Sequence, residues 1–220
     1  MSTRNTKERI LDAAERLFSQ RGYSGTSVRA ITSAAEVNLA AANYHFGSKE
    51  ELLCAVVDRR IAPITEERAR LLADCEADAG AGGAELEQIL HAFVAPAFVL
   101  SDGTQGSGAF ARLLGRLYAE PLEGLARLYE EQCGPVLESF CEAFSRALPG
   151  LPKTELYWHL QFVIGMLVHT FMAGERVRLC TEGLCDLDDM PSVIERMVHF
   201  AAAGLREAAV GLQQTADTRF

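Results

Sequence analysis

The sequence predicts an all-α protein, a small helix-turn-helix head over residues 1–48 followed by a larger helical body over residues 49–220. Three observations carry this. Apolar residues recur at helical spacing, no stretch shows strand alternation, and glycine- or proline-rich breaks cut the chain into helix-length pieces. Hydrophobic residues fill 49% of 220 positions against seven prolines, which describes a globular chain with a substantial core and argues against disorder.

Residues 1 to 5 read as a polar tail. The first helix runs from about Thr6 to Gln20, with Ile10, Ala14, Leu17 and Phe18 as its buried stripe. Arg21 to Gly25 forms a loop. Thr26 is placed to cap a second helix whose inner face is Val28, Ile31 and Ala35. Glu36 and Val37 make a turn, Asn38 caps a third helix over Leu39 to Phe46, and Gly47 suits a left-handed end. Ser48 and Glu51 have the spacing of a capping box that opens the next helix. Two short helices on a tight turn, the second sized for the major groove, make a helix-turn-helix. Ala40, Ala41 and Ala42 let a backbone approach bases closely.

The body begins with a helix from Lys49 to about Asp78, where Pro63 either kinks one helix or separates two. After a turn at Ala79 to Gly83, a helix over Glu85 to Leu100 contains Pro96. Ser101 to Gly108 reads as loop, Ala109 to Ala119 as helix, and Pro121 to Leu148 as a helix with a Gly134-Pro135 kink. Leu148 to Pro152 is a firm break. From Leu156 to Gly174 nineteen residues pass without Asp, Glu, Lys or Arg. Length alone would permit a membrane span, but His159, Gln161, His169 and Thr170 dilute the run, and Glu155 and Glu175 flank it without a basic bias. A helix covered on both faces, by the core and by a second subunit, is the preferred account. Pro191 opens the last helix, with Val193, Ile194, Met197, Val198, Ala201, Gly204 and Leu205 as its stripe and a frayed end after Gln213.

Net charge is −9, which taken whole argues against a nucleic-acid binder, yet the charge is unevenly spread. Residues 1–49 hold seven Lys/Arg against four Asp/Glu, and the remainder holds fourteen against twenty-six. A basic head on an acidic body touches phosphates at one end only. None of the six cysteines forms C-x-x-C, and no signal peptide is read at the N-terminus, so reduced thiols in a cytoplasm are expected. Cys180 and Cys185 are the candidate redox pair.

Thr26, Ser27, Tyr44, His45 and Lys49 carry groups suited to phosphates, and Asn43 can make the two-bond pair with adenine. Arg29 can reach a guanine or a phosphate.

The run N-Y-H-F-G-S-K-E-E-L, preceded by R-I-L-D-A-A-E-R-L-F-S-Q-R-G-Y-S-G-T-S, resembles the DNA-binding domain of TetR-family repressors over roughly residues 6–55. That resemblance implies the same phosphate roles and places Asn38, Leu39, Ala41 and Asn43 toward the groove. Ala42 and Asn43 depart from the family pattern, which commonly has a larger apolar residue and then Tyr. The implied protein is a ligand-responsive regulator, a repressor by usual family behaviour, binding a palindromic operator as a dimer through helices 155–175 and 191–210. Its two heads would lie about 34 Å apart or a multiple of that.

F-A-R-L-L-G-R-L and L-P-K-T-E-L-Y-W-H-L-Q-F-V-I-G resemble the C-terminal domain of fatty-acid-responsive regulators of the PsrA type. This implies a small hydrophobic inducer, a fatty acid or acyl derivative. Its tail would suit Phe110, Leu113, Leu114, Leu117, Phe162 and Met166, and its carboxylate Arg112, Arg116 or His169. No cofactor or resident metal is expected. The rival class is an all-α metal- or lipid-binding protein or enzyme without specific DNA binding. Glu155 and His159, four apart, are its best ligand pair, but a di-metal bundle needs several Glu-x-x-His pairs.

Overall fold

The computed structural model describes residues 6–80, 83–102, 113, 117 and 123–217. Among these residues the chain forms helices α1 (Thr6–Arg21), α2 (Val28–Ala34), α3 (Leu39–Phe46), α4 (Lys49–Ala79), α5 (Leu86–Asp102), α6 (Glu123–Ala147), α7 (Lys153–Cys180) and α8 (Met190–Asp217). Leu113 and Leu117 are helical as well, and no strand occurs among the described residues. The expected loop at 103–108, most of the expected helix over 109–119 and the Pro121 helix start lie outside them.

Several expected boundaries shift. α4 continues as one 31-residue helix with Pro63 inside it, so Pro63 does not separate two helices. A single proline removes one main-chain bond, and the flanking turns carry the helix across. Ser101 and Asp102 belong to α5 rather than to a loop, and α8 continues to Asp217, past the expected fraying point. The uncharged run sits inside a longer helix, Lys153–Cys180, with charged residues at both ends. Among the described residues no helix is long and apolar enough to cross a membrane.

Packing divides the chain into two compact units, Met1–Pro63 with Gly103–Cys133, and Ile64–Asp102 with Gly134–Phe220. The divisions inside α4 and α6 fall beside Pro63 and Pro135.

In the first unit α1, α2 and α3 pack against one another. The predicted α1 stripe is buried, with Ile10, Ala14, Leu17 and Phe18 each at most 4% exposed. Burying a side chain the size of Ile10, Leu17 or Phe18 stabilises a fold by about 1.5–3 kcal/mol. Ile31 and Phe46 join from the short helices, and Leu52, Leu53, Val56 and Val57 from α4. Leu113, Leu117 and Leu125 complete this core from far along the chain.

One polar residue is buried on α1. Glu15 is 5% exposed, and its two carboxylate oxygens accept from Arg59 at 2.6 Å and from Arg60 at 2.6 and 2.9 Å. Arg59 also donates to Asp12 at 2.8 Å and Glu8 at 3.2 Å, fastening α1 to α4 along three turns.

The second unit centres on α5, whose Ile89, Leu90, Phe93, Val94 and Phe98 are all at most 2% exposed. Phe93 meets Phe140 of α6 edge-on at 5.1 Å, and Phe98 stacks on Phe171 of α7 at 4.7 Å. Arg68 of α4 donates to the Phe93 carbonyl at 2.7 Å, in the turn whose pairing Pro96 disturbs. The predicted α8 stripe is buried except at Gly204, which is exposed.

Candidate nucleic-acid interface

α2 begins with a cap one residue later than expected. Ser27, with extended φ −108° and ψ 151°, accepts the Ala30 N–H on its hydroxyl at 3.2 Å. Thr26 is 2% exposed, and its hydroxyl is within hydrogen-bonding distance of the carbonyls of Gly22 (2.8 Å) and Leu17 (3.2 Å). Two adjacent hydroxyls look alike in sequence, but the inward one is spent closing the loop. Thr26 is therefore corrected from a phosphate contact to a structural residue.

α2 ends at Ala34, and the turn passes through Glu36 at φ +53°, a conformation that side chains other than glycine adopt at a cost. Arg9 of α1 supports it, donating to the Glu36 carbonyl at 3.1 Å and reaching its carboxylate at 3.5 Å. Asn38 then caps α3, its side-chain oxygen accepting the Ala41 N–H at 2.7 Å. That oxygen is committed to the cap.

α3 divides into a back and a front. Ala42 and Phe46 are buried at 3% and 7%, holding the helix to the core. Ala42 faces inward, the side on which the family commonly has a larger apolar residue. Leu39, Asn43, Tyr44 and His45 are exposed, Tyr44 at 86%, and Ala41 is half-buried. Tyr44 and His45 meet edge-on at 5.2 Å. Ser27 and Arg29 are also exposed, on the start of α2.

Gly47 ends α3 at φ +68°, donating its N–H to Asn43. The positive φ calls for glycine, and a Cβ there would also crowd the Glu51 carboxylate, which would have to shift out of the capping box. The predicted capping box forms: Ser48 N–H donates to Glu51 at 3.0 Å, and Glu51 N–H to the Ser48 hydroxyl at 3.1 Å. Lys49 follows, its Nζ 4.0 Å from the centroid of the Tyr23 ring. Neither Tyr23 nor Arg9 was expected at this surface, since each acts from outside the motif through a contact that local spacing does not encode.

Five of the nine residues expected to line an effector pocket are described. Phe110, Arg112, Leu114 and Arg116 lie outside the described residues. Leu113 and Leu117 are at 0% and 7% exposure within the core of the first unit, so packing already fills the space around them. Met166 packs on the core of the second unit. Phe162 is 60% exposed and His169 is exposed, a correction to their expected place in a pocket. A helix apolar all round gives no periodic signal for its inward side. The second unit instead holds a groove of about 1060 Å³ between α4, α5 and α8, with Leu71, Cys75, His91, Val198, His199 and Phe200 on its walls.

Tyr157, Trp158 and Phe162 form an exposed aromatic run on α7, with Trp158 and Phe162 stacked at 6.1 Å. Phe200 and Val210 are exposed on α8 at 70% and 47%. His159 turns its Nδ1 to the Glu155 carbonyl at 2.8 Å, a local contact rather than a ligand arrangement. All six cysteines are free, and burial pushes the thiols of Cys54, Cys75 and Cys141 up.

Comparison with known proteins matches residues 10–56 to the model for bacterial regulatory proteins of the tetR family, and residues 91–204 to that for the tetracyclin repressor-like C-terminal domain. The HTH-type transcriptional repressor NicS of Pseudomonas putida is 33% identical over 90 residues, 41% of this chain and 39% of that one. Alignments with such curated relatives span between 24% and 39% of the relatives' own length. Among solved structures, the fatty acid degradation regulator FadR from Bacillus halodurans covers 94% of this chain and 99% of its own, at TM-score 0.55 and 18% identity. FadR from Bacillus subtilis in complex with stearoyl-CoA covers 90% and 96%, at TM-score 0.52 and 17% identity. Likeness at that identity speaks for the fold.

Proposed function

This chain belongs to the TetR family of bacterial regulatory proteins, and we propose that it is a cytoplasmic repressor that reads a palindromic operator as a homodimer and leaves it on binding a small hydrophobic effector. The family is one of DNA-binding regulators rather than enzymes. The observation that carries the reading is the front of α3, where Leu39, Asn43, Tyr44 and His45 stand exposed on a helix capped at both ends.

In this reading residues 1–48 are the reading head. Asn43 pairs with a base edge, Leu39 and Ala41 touch thymine methyls, and Ser27, Arg29, Tyr44, His45 and Lys49 engage phosphates. Asn38 contributes its amide nitrogen, since its oxygen caps the helix. Two copies pair through the exposed aromatic run of α7 and the outer face of α8.

The effector is a fatty acid or acyl derivative, supported by the resemblance to PsrA-type regulators and the likeness in fold to the two FadR proteins. The groove between α4, α5 and α8 offers apolar walls for a chain, with His91, His199 and Arg196 for an acid group. α4 begins beside the recognition helix at Lys49 and continues to Leu71 and Cys75 in that groove, so it is the lever. A coupling of about 1–3 kcal/mol changes operator affinity from several-fold to about a hundredfold.

The test is fluorescence anisotropy with a duplex enriched by the protein from a random pool, titrated with and without palmitate or palmitoyl-CoA. The expected result is weaker binding with one of them. Unchanged affinity with both removes the lipid part and leaves the DNA part standing.

A further inference from the structure

Lys49 stands where helix physics disfavours it. It occupies the first turn of α4, the positive end of the helix dipole, where a cation is destabilising and an anion is favoured. Glu50 and Glu51 follow, but Glu51 is committed to the Ser48 N–H and Glu50 to the Gly124 N–H at 2.7 Å. Among the described residues no carboxylate pairs with Lys49. Its partner is the ring of Tyr23, 4.0 Å from Nζ to centroid.

That ring is itself fixed. Tyr23 lies in the loop between α1 and α2 and stacks on Phe18 at 6.0 Å with the planes 29° apart. Phe18 is fully buried in the core of the first unit. An aromatic path therefore leads from the core to the ammonium group at the start of α4.

The difference between a ring and a carboxylate matters here. A carboxylate would orient Lys49 and cancel its charge, whereas the ring's quadrupole orients the ammonium and leaves its full charge and N–H donors for a phosphate. We infer that Tyr23 is a positioning residue for DNA binding, holding Lys49 extended and charged toward the backbone beside the reading helix. The inference rests on the proposed DNA contact of Lys49 and adds to it a second residue that touches no DNA.

The test uses the full chain and a duplex enriched from a random pool by the wild-type protein, with affinity measured across a salt series. Lys49→Ala is expected to lower the log–log salt slope by about 0.9, the value of one phosphate contact. Tyr23→Leu is expected to weaken binding about fivefold, and Tyr23→Phe, which keeps the ring, to bind like wild type. Combined with Lys49→Ala, Tyr23→Leu should add nothing. A Tyr23→Leu variant that binds as tightly as wild type overturns the inference, and so does an equal loss in the Lys49→Ala background, which would mark Tyr23 as purely structural. Should Tyr23→Leu fail to fold, the wild-type NMR spectrum decides: the Lys49 ε protons are expected upfield from the ring current, and an ordinary shift overturns the inference. An unchanged salt slope for Lys49→Ala overturns it as well. Failure of the wild type to enrich any duplex removes the DNA reading itself, and the inference falls with it.

Discussion

Glu36 holds its backbone at φ +53° in the turn between the two short helices, steadied by Arg9. A side chain in that region costs about 1–2 kcal/mol, and glycine does not incur it. Glu36→Gly keeps the carbonyl that Arg9 reaches, so it should raise the urea midpoint, stabilising the fold by about 0.5–1 kcal/mol after glycine's added chain entropy. A lower midpoint would contradict this. Thr26 makes the opposite case. Thr26→Val removes a hydroxyl that two buried carbonyls share, and should destabilise the fold by about 1–2 kcal/mol while leaving the operator affinity of the folded protein unchanged. A selective loss of DNA binding would instead return Thr26 to the interface. The caps at Asn38 and Gly47 and the Ser48–Glu51 box were legible because each is a local bond between residues three or four apart. Which of Thr26 and Ser27 faced outward was not, because the choice depends on the Gly22 carbonyl closing the preceding loop.

The helices themselves were legible wherever one face is apolar. The α1 and α8 stripes show this, since the periodicity that marks a helix also marks its buried side. α7 shows the limit, because an all-apolar helix has no such mark, and Phe162 consequently turned out exposed. The fastening of α1 to α4 was equally hidden. Glu15 lies 44 and 45 residues from Arg59 and Arg60, and in sequence each reads as an ordinary surface charge. Glu15→Ala removes the carboxylate that both guanidinium groups share, while Arg59 keeps Asp12 and Glu8, and should destabilise the fold by about 1–3 kcal/mol, read from chemical denaturation. A change within about 0.5 kcal/mol would show that water replaces the pair.

A second ion pair joins α5 to α8. The Arg206 guanidinium holds the Glu87 carboxyl below the usual carboxylate range. A carboxyl depressed in the folded state contributes stability above its unfolded value of 4.5 and loses that contribution as pH falls through its folded value. Glu87→Gln should therefore lower the urea midpoint slightly at pH 7, and the difference should fade below pH 4.5. A difference that persists in acid would mean that packing, not charge, is lost.

For the whole molecule, the all-α class and the helix-turn-helix were legible, while the composition of the head's core was not. Leu113, Leu117 and Leu125 come from a part of the chain remote in sequence, and only the folded structure brings them to Phe18 and Val56. Gly124 shows how closely that segment approaches, since a Cβ there would lie 2.7 Å from Glu50 and 3.2 Å from the Cys54 sulfur. Pairing of two copies belongs to this scale. Trp158 and Phe162 present stacked rings to solvent, and apolar area of that kind is stable when covered. Phe162→Glu should leave the fold intact, shift the protein from dimer to monomer in sedimentation velocity, and weaken operator binding in proportion. A dimer of unchanged stability would place the pairing surface elsewhere.

The central claim is that α3 of two paired copies reads duplex DNA. The most direct test is selection of duplexes from a random pool by the purified protein, followed by the mass of the selected complex. The expected product is an inverted repeat with half-site centres about 10 base pairs apart or a multiple of that, bound by an even number of chains and lost with Asn43→Ala. A pool that shows no enrichment, or a single asymmetric site held by one chain, would contradict it.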